Sequence, residues 1–148
     1  MPFSLIRNPR GAFRAFALAG AAMLYPGWDG AARLAALRHD LDRLGLEPPP
    51  VRPGPRFAGP SELAGGLYAI EGSSLGNQVI LRRVLAEGDE REKEATAYLR
   101  HGAGAWPRFV TWLDAQGGLE VEGAARGAAT VFACYSDAVS ATSPAPEA

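Results

Sequence analysis

The sequence predicts an all-α protein, a multi-helix bundle with space for a ligand between its helices. Apolar residues recur at helical spacing in several segments, as the leucines of Leu34–Leu44 do every three or four residues. No segment alternates apolar and polar residues as a half-buried strand does, and no internal repeat is present. The length of 148 residues is that of one domain.

Composition narrows the class of protein further. An apolar content of 47% and a charged content of 21% are typical of an ordinary globular protein. The net charge of −1 provides no bulk attraction to nucleic acid or to an anionic membrane. Cys134 is the single cysteine, so no intrachain disulfide is expected, and this fits a reducing cytoplasm. No run of about 18 apolar residues predicts a transmembrane helix.

The N-terminal part is expected to hold a loose lead-in, Met1–Gly11, and a helix, Ala12–Leu24, that ends before Pro26. Three arginines precede an apolar run here, which loosely resembles a signal peptide. The spacing of Phe13 and Phe16 fits an amphipathic helix equally well. Export therefore stays open as an alternative to a cytoplasmic location.

The next predicted helix is Gly30–Leu44, with Asp29 as its N-cap and Gly45 just after its end. The segment Leu46–Pro60 is too rich in proline for a helix or a central strand. It is interpreted as an extended surface crossover inside a single domain, residues 1–140.

Six further segments complete the prediction. Ser61 is expected to cap a glycine-rich helix, Glu62–Ala86, which breaks at Gly88-Asp89. The remaining elements are an exposed charged helix, a flexible turn, a short helix ended by glycines, a last helix and a disordered tail. They are Glu90–Arg100, His101–Gly104, Trp106–Gln116, Val121–Ser140 (with Ala128, Phe132, Tyr135 and Val139 on one stripe) and Ala141–Ala148.

The glycine-rich helix carries the most informative pattern. Gly65, Ala69, Gly72 and Gly76 follow one another at spacings of four, three and four, which places them on one face. A glycine inside a helix costs about 1 kcal/mol relative to alanine, so these positions need a reason. Either another helix packs closely against the small residues, or a flat ligand lies across the backbone there.

The segment Leu67–Arg83, which reads LYAIEGSSLGNQVILRR, resembles the distal-helix segment of bacterial, biliverdin-producing heme oxygenases. That segment often reads close to LYVLEGSTLGG, followed by an apolar and a basic residue. Weaker similarity extends to Asp40–Gly45 and Trp106–Asp114. The resemblance implies a heme oxygenase-like helical bundle whose distal helix kinks at its glycines and passes close over the heme.

The resemblance also implies roles for individual residues. Gly72 and Gly76 match the catalytic distal glycines, and Ser73 and Ser74 match the small polar pair between them. Asn77 stands where a second glycine is usual, and asparagine tolerates unusual backbone angles better than other non-glycine residues do. Ser73, Ser74, Asn77 and Arg83 are therefore expected to contact heme. Arg82 and Arg108 are further candidates for the propionates.

The activity implied is oxidative cleavage of heme to biliverdin, carbon monoxide and iron. Heme is then both substrate and cofactor, and electrons come from a ferredoxin or a reductase. A bacteriophytochrome is a possible acceptor of the bilin. Glu71, beside Gly72, belongs to the structural pattern rather than to an acid–base pair. No nucleophile elbow, phosphate loop or H-E-x-x-H motif suggests another reaction.

The iron ligand is the point at which this sequence departs from the family. Heme oxygenases place a proximal histidine on a first helix, upstream of the part that Phe13–Leu24 resembles, so the chain is interpreted as N-terminally shortened. The sequence contains two histidines, His39 and His101, and both are weak candidates. His39 lies about 200° around its helix from Leu37 and from Leu41, and His101 lies in a glycine turn.

Three functions therefore stay open. The first is a heme oxygenase, impaired to the extent that the proximal helix is missing. The second is a non-catalytic protein of the same fold that binds heme, a bilin or a protein partner. The third is an unrelated bundle whose glycines serve packing alone.

Overall fold

The computed structural model describes residues 28, 31–48 and 54–142, and this part of the chain is all-α, as predicted. It contains no β-strand, and none of its helices is long and apolar enough to cross a membrane. The predicted helix Ala12–Leu24, the cap Asp29 and the tail beyond residue 142 lie outside the described residues. The helices are α1 (Ala31–Arg43), α2 (Pro60–Glu87), α3 (Glu90–Glu94), α4 (Ala97–Asp114) and α5 (Val121–Thr142).

The longest helix, α2, is the centre of the bundle. It runs antiparallel to α4, since a side chain at Gly72 would meet Trp106 while Ser74 lies against Gly102. It runs parallel to α5, since Gly65 meets Ala124 while Ala138, further along α5, packs in one cluster with Leu81 and Val84. α1 packs on the side formed by the C-terminal half of α2 and the start of α4.

Two apolar clusters lie along α2. The first joins the leucines of α1 to the C-terminal half of α2, and the second joins its N-terminal half to the aromatic residues of α4. The main members of the first are Leu37, Leu41, Ile80, Leu81, Val84 and Leu99, and those of the second are Leu67, Ala69, Ile70, Phe109 and Val131. Gly45 follows α1 with φ +66°, which confirms its predicted place after the helix end.

The predicted helix Glu90–Arg100 is wrong, because the chain forms two helices there. Asp89 caps α3 through a capping box with Glu92. α4 then begins at Ala97, and its first amides are satisfied by a residue distant in sequence. The buried carboxylate of Asp40 accepts hydrogen bonds from the backbone N–H of Ala97 at 3.0 Å and of Tyr98 at 2.9 Å. The carboxylate of α1 therefore sets where α4 starts.

The predicted turn His101–Gly104 and the separate helix Trp106–Gln116 are corrected in the same way. Both segments belong to one continuous helix, α4. Gly102 lies at the crossing with α2, where a Cβ would overlap the side chain of Ser74. This glycine permits close helix packing rather than a turn, a distinction that local sequence does not make.

Two smaller predictions are also corrected. Ser61 does not cap α2, whose N-cap is Gly59 and whose first residue is Pro60. The Ser61 hydroxyl instead accepts from the backbone N–H of Glu120 at 2.9 Å, which ties the loop before α5 to the start of α2.

Phe132 is predicted on the inner stripe of the last helix, yet its side chain is 58% exposed, whereas Val131 is buried. The remaining crossover residues, 46–48 and 54–59, contain no helix, as predicted.

Glycines bring α2 and α5 into direct backbone contact. A Cβ at Gly65 would overlap the carbonyl of Ala124, and a Cβ at Gly127 would overlap the carbonyl of Glu62. At this end of the glycine stripe, helix packing is therefore the reason for glycine.

We expect Gly65→Ala to lower the free energy of unfolding by roughly 3 kcal/mol, because the added methyl group forces two backbones apart. The matched control is Gly104→Ala in α4, where a Cβ meets nothing within 4 Å in the described structure. It should raise the free energy of unfolding by about 0.5–1 kcal/mol through helix propensity. Urea unfolding followed by circular dichroism measures both. Equal effects of the two substitutions would contradict the backbone contact.

Candidate functional site

The strongest candidate site is an exposed apolar face of α2, which we call the open face: Tyr68, Gly72, Leu75, Gly76 and Val79. Its three large side chains are 50%, 59% and 55% exposed. They succeed one another with Gly72 at spacings of four, three and four, so they share one side of the helix. Exposed apolar residues grouped in this way are typical of an interaction site rather than of random surface.

The glycines of the open face differ in their surroundings. A Cβ at Gly72 would lie 3.5 Å from the ring of Trp106, an ordinary contact. A Cβ at Gly76 would meet nothing within 4 Å among the described residues. The small residues Gly65, Ala69, Gly72 and Gly76 therefore have different surroundings along one face of α2. Gly65, the first, packs against α5, whereas Gly76, the last, leaves the backbone of α2 uncovered by described residues. Gly76 weakens the helix with no packing reason in the described part of the chain.

The structure separates the other predicted contact residues from the open face. Ser74 is 8% exposed and lies against Gly102 of α4. Asn77 is 1% exposed and lies beside the buried Tyr98. Ser73 lies next to the face, where its hydroxyl donates to the carbonyl of Ile70 at 2.6 Å. Of the six α2 residues predicted for the site, Gly72 and Gly76 are on the open face, and Arg83 follows Val79 by one turn.

The arginines give the C-terminal end of the open face a positive charge. Arg83 Nε donates to Glu87 Oε2 at 3.1 Å, and Arg82 Nε donates to the carbonyl of Gln78 at 3.3 Å. Both side chains are on the surface, and such exposed pairs contribute little to stability. Their guanidinium groups can therefore turn to an anionic ligand at small cost.

An ion pair lies in the core behind the open face. Arg33 of α1 forms a salt bridge with Glu71 of α2, and the side chains are 10% and 2% exposed. The indole N–H of Trp28 donates to the same carboxylate at 3.0 Å. A buried carboxylate needs such partners, because removing it from water is costly. Glu71 is therefore a structural residue, as the sequence predicted.

Two tyrosines, the buried Tyr98 and the half-buried Tyr135, extend this polar layer. Burial raises the pKa of both Tyr98 and Tyr135, so both hydroxyls keep their protons at neutral pH. Ser73 lies near both hydroxyls and lowers the pKa of each, although burial, which raises it, is the larger effect. Burial also lowers the pKa of Arg33, although the guanidinium stays charged. The layer therefore links the core of the bundle to Ser73, which directly follows Gly72 in α2.

The two histidines lie away from the open face. His39 projects from α1, with a side chain 56% exposed and Nδ1 at 3.2 Å from Asp40 Oδ1. This agrees with its predicted position on the side of the helix away from Leu37 and Leu41. His101 is half-buried on α4, about 140° around that helix from Trp106, the residue beside Gly72. No three histidine, cysteine, aspartate or glutamate side chains are grouped as metal ligands in the described ranges.

Arg33 and Asp40 were missed by sequence analysis, although a signal for both was present. They occupy the same helical face as Leu37, Leu41 and Leu44, at spacings of three or four residues. A charged residue on an apolar stripe indicates a buried charge with a partner. The partners, Glu71 and the amides of α4, are too distant in sequence to identify from that pattern.

Comparisons with known protein families, with curated proteins and with solved structures found no match.

We expect Arg33→Met and Glu71→Gln each to lower the free energy of unfolding by about 3–5 kcal/mol, since each leaves an uncompensated buried group. The double substitution should cost clearly less than the sum, because neither partner is then left alone. The exposed pair Arg43–Glu94 is the control, and its corresponding cycle should give a coupling below about 1 kcal/mol. Urea unfolding of both cycles tests this, and equal couplings would contradict a buried pair.

Proposed function

We propose that this protein is heme oxygenase-like: it binds heme against the open face of α2 and opens the ring to biliverdin, carbon monoxide and iron. One observation carries the proposal. The segment that resembles the distal helix of that family presents Gly76 bare, flanked by the exposed apolar side chains of Leu75 and Val79. A bare backbone beside an apolar surface is what a large flat ligand needs in order to approach a helix.

The open face fits heme in shape and charge. Its apolar side chains would bury the porphyrin surface, which supplies most of the binding free energy of such a ligand. Gly76 allows close contact with the backbone, and a Cβ there would fill that space. Arg82 and Arg83, at the C-terminal end of the face, are placed to pair with the propionates.

Bound heme supplies the iron that binds and activates oxygen. The residues of this chain bind and orient the ring and hold protons near it. The hydroxyl of Ser73, the residue after Gly72, lies near the protonated hydroxyls of Tyr98 and Tyr135. We assign these three groups to holding protons at the edge of the site. Electrons come from a ferredoxin or a reductase.

A second candidate function is a heme- or bilin-binding protein of the same fold without turnover. The positions of the histidines favour it, since His39 is on the surface of α1 and His101 lies on α4 away from Trp106. Heme held by apolar contact and propionate pairing alone would receive no iron ligand from the protein.

We expect Gly76→Leu to weaken heme binding at least tenfold, because the new side chain occupies the space through which the ring approaches the backbone. It should leave the fold intact, since a Cβ there meets nothing within 4 Å in the described structure. Heme titration followed by the Soret band measures the affinity.

Gly104→Leu is the matched control for this experiment, because Gly104 is also an unobstructed helical glycine but lies on α4. Its affinity should equal that of the unmodified chain. Gly72→Leu is less informative, since the new side chain would also press on Trp106. Unchanged heme affinity in Gly76→Leu, with the fold retained, would refute the assignment of the open face.

We expect biliverdin to form slowly when the heme complex receives electrons from ascorbate or a reductase. Imidazole should change the Soret spectrum and accelerate the reaction, because it can serve as the axial ligand. Rapid turnover without imidazole would show that a side chain of this protein ligates the iron, and His39→Ala and His101→Ala would identify which. Heme binding with no biliverdin under any of these conditions would favour the non-catalytic candidate.

A further inference from the structure

A second apolar feature lies between the first half of α2 and the start of α5. It is a cleft of about 430 Å³ that the described residues leave open to solvent, within the size range of small-molecule pockets. Its walls are almost entirely apolar and are formed mainly by small side chains. They include Ala64, Tyr68, Leu113, Leu119, Ala125 and Ala128.

Contacts between α2, α5 and the loop before α5 fix the walls of the cleft relative to one another. Its floor is the crossing of α2 and α5, where the backbone of Gly65 touches Ala124. Its upper wall is the loop before α5, which the hydrogen bond from the Glu120 amide to Ser61 ties to α2. A cleft that already exists in the free protein avoids the cost of ordering its walls on binding.

Glu120 is the one charged residue in the lining of this cleft. Among the described residues, its side chain forms neither a hydrogen bond nor a salt bridge. Arg126, which shares the neighbouring polar groove with Glu120, is engaged elsewhere: its Nε donates to Glu62 Oε1 at 3.1 Å. The apolar cleft therefore carries at its edge a negative charge that no described cation pairs with.

We propose that this cleft binds a small apolar molecule that carries one cationic group, with the apolar body against the alanines and the cation against Glu120. Burial of the body supplies affinity, and the carboxylate selects the charge, because an ion pair beside an apolar wall is less screened than in water. The open face, which ends in Arg82 and Arg83, has the opposite preference. The two sites share Tyr68 but select ligands of opposite charge, and the cleft does not depend on the proposed heme site.

Three probes with one ring system test the charge preference: 1-naphthylmethylamine, 1-methylnaphthalene and 1-naphthoate. The amine should bind most tightly and the carboxylate most weakly, as measured by calorimetry. Glu120→Gln should reduce the advantage of the amine over 1-methylnaphthalene by about fivefold, as expected for a partly exposed ion pair, and leave the neutral probe unaffected. Tightest binding of the carboxylate would overturn the proposal.

The location is tested with tryptophan at two exposed positions of α5. Ala125 lines the cleft, and Ala129, one turn later, is not among its lining residues. Ala125→Trp should lower the affinity for the amine at least tenfold, whereas Ala129→Trp should leave it unchanged. Amide chemical-shift mapping on the unmodified protein gives the same information without a substitution. Shifts induced by the amine should centre on the lining residues, and shifts centred elsewhere would refute the site.

The independence of the two sites has its own measurement. Gly76→Leu, which should lose heme affinity, should bind the amine as the unmodified chain does. Parallel loss of both ligands would show that the cleft and the open face form one site and would overturn the proposal of a separate one. Failure of heme to bind at all, with the amine still bound, would remove the proposed function and leave the cleft assignment standing.

Discussion

The direct backbone contact between α2 and α5 determines the arrangement of the rest of the bundle. Gly65 and Gly127 remove the side chains that would otherwise hold these helices 8–10 Å apart. The face of α2 that carries Gly65, Ala69, Gly72 and Gly76 is therefore covered by α5 at its beginning. Beyond it, α5 packs on another side of α2, where Tyr135 meets Ser73. Gly76 lies about 16 Å further along the helix than Gly65, and no described residue covers it.

The buried polar layer gives the bundle a defined register. Arg33 and Asp40 of α1 each have one set of partners that satisfies them: the carboxylate of Glu71 and the first amides of α4. A shift of α1 by one turn would leave both charges buried without partners, at a cost of several kcal/mol. Apolar packing alone, between leucines of similar shape, discriminates less strongly among such registers. The charges thus contribute to specificity of structure at least as much as to stability.

The two candidate sites arise from the same geometry. Because Gly65 and Gly127 bring α2 and α5 into direct backbone contact at one end, and α5 then packs on another side of α2, part of the apolar surface of α2 stays exposed among the described residues. One part is the open face, with Arg82 and Arg83 at its end; the other is the cleft, with Glu120 at its edge. In each part the exposed apolar residues are neighbours on the surface rather than scattered single residues. Because the charged residues at the two sites have opposite signs, the open face favours anionic ligands and the cleft favours cationic ones.

Much of the helical structure was predictable, since it depends on short-range patterns. The leucine spacing of α1, the glycine after it and the break at Gly88-Asp89 all correspond to the structure within a few residues. The errors occur where a distant contact overrides local propensity. The glycines of His101–Gly104, which predict a turn, lie inside α4, because Gly102 packs against Ser74 of α2. The start of α4 is set by Asp40, a distant residue, rather than by a capping residue next to it in the sequence.

The sequence by itself determined the helical class, the central glycine-rich helix and the positions of its small residues. Spacing along one chain fixes which residues share a helix face, but it does not state what lies against that face. Only the tertiary structure decided that Gly65 packs against a helix, that Gly76 is bare and that Ser74 and Asn77 point into the core. The physical reason is that burial and hydrogen-bond partners are set by residues tens of positions away. Their arrangement depends on how whole helices cross.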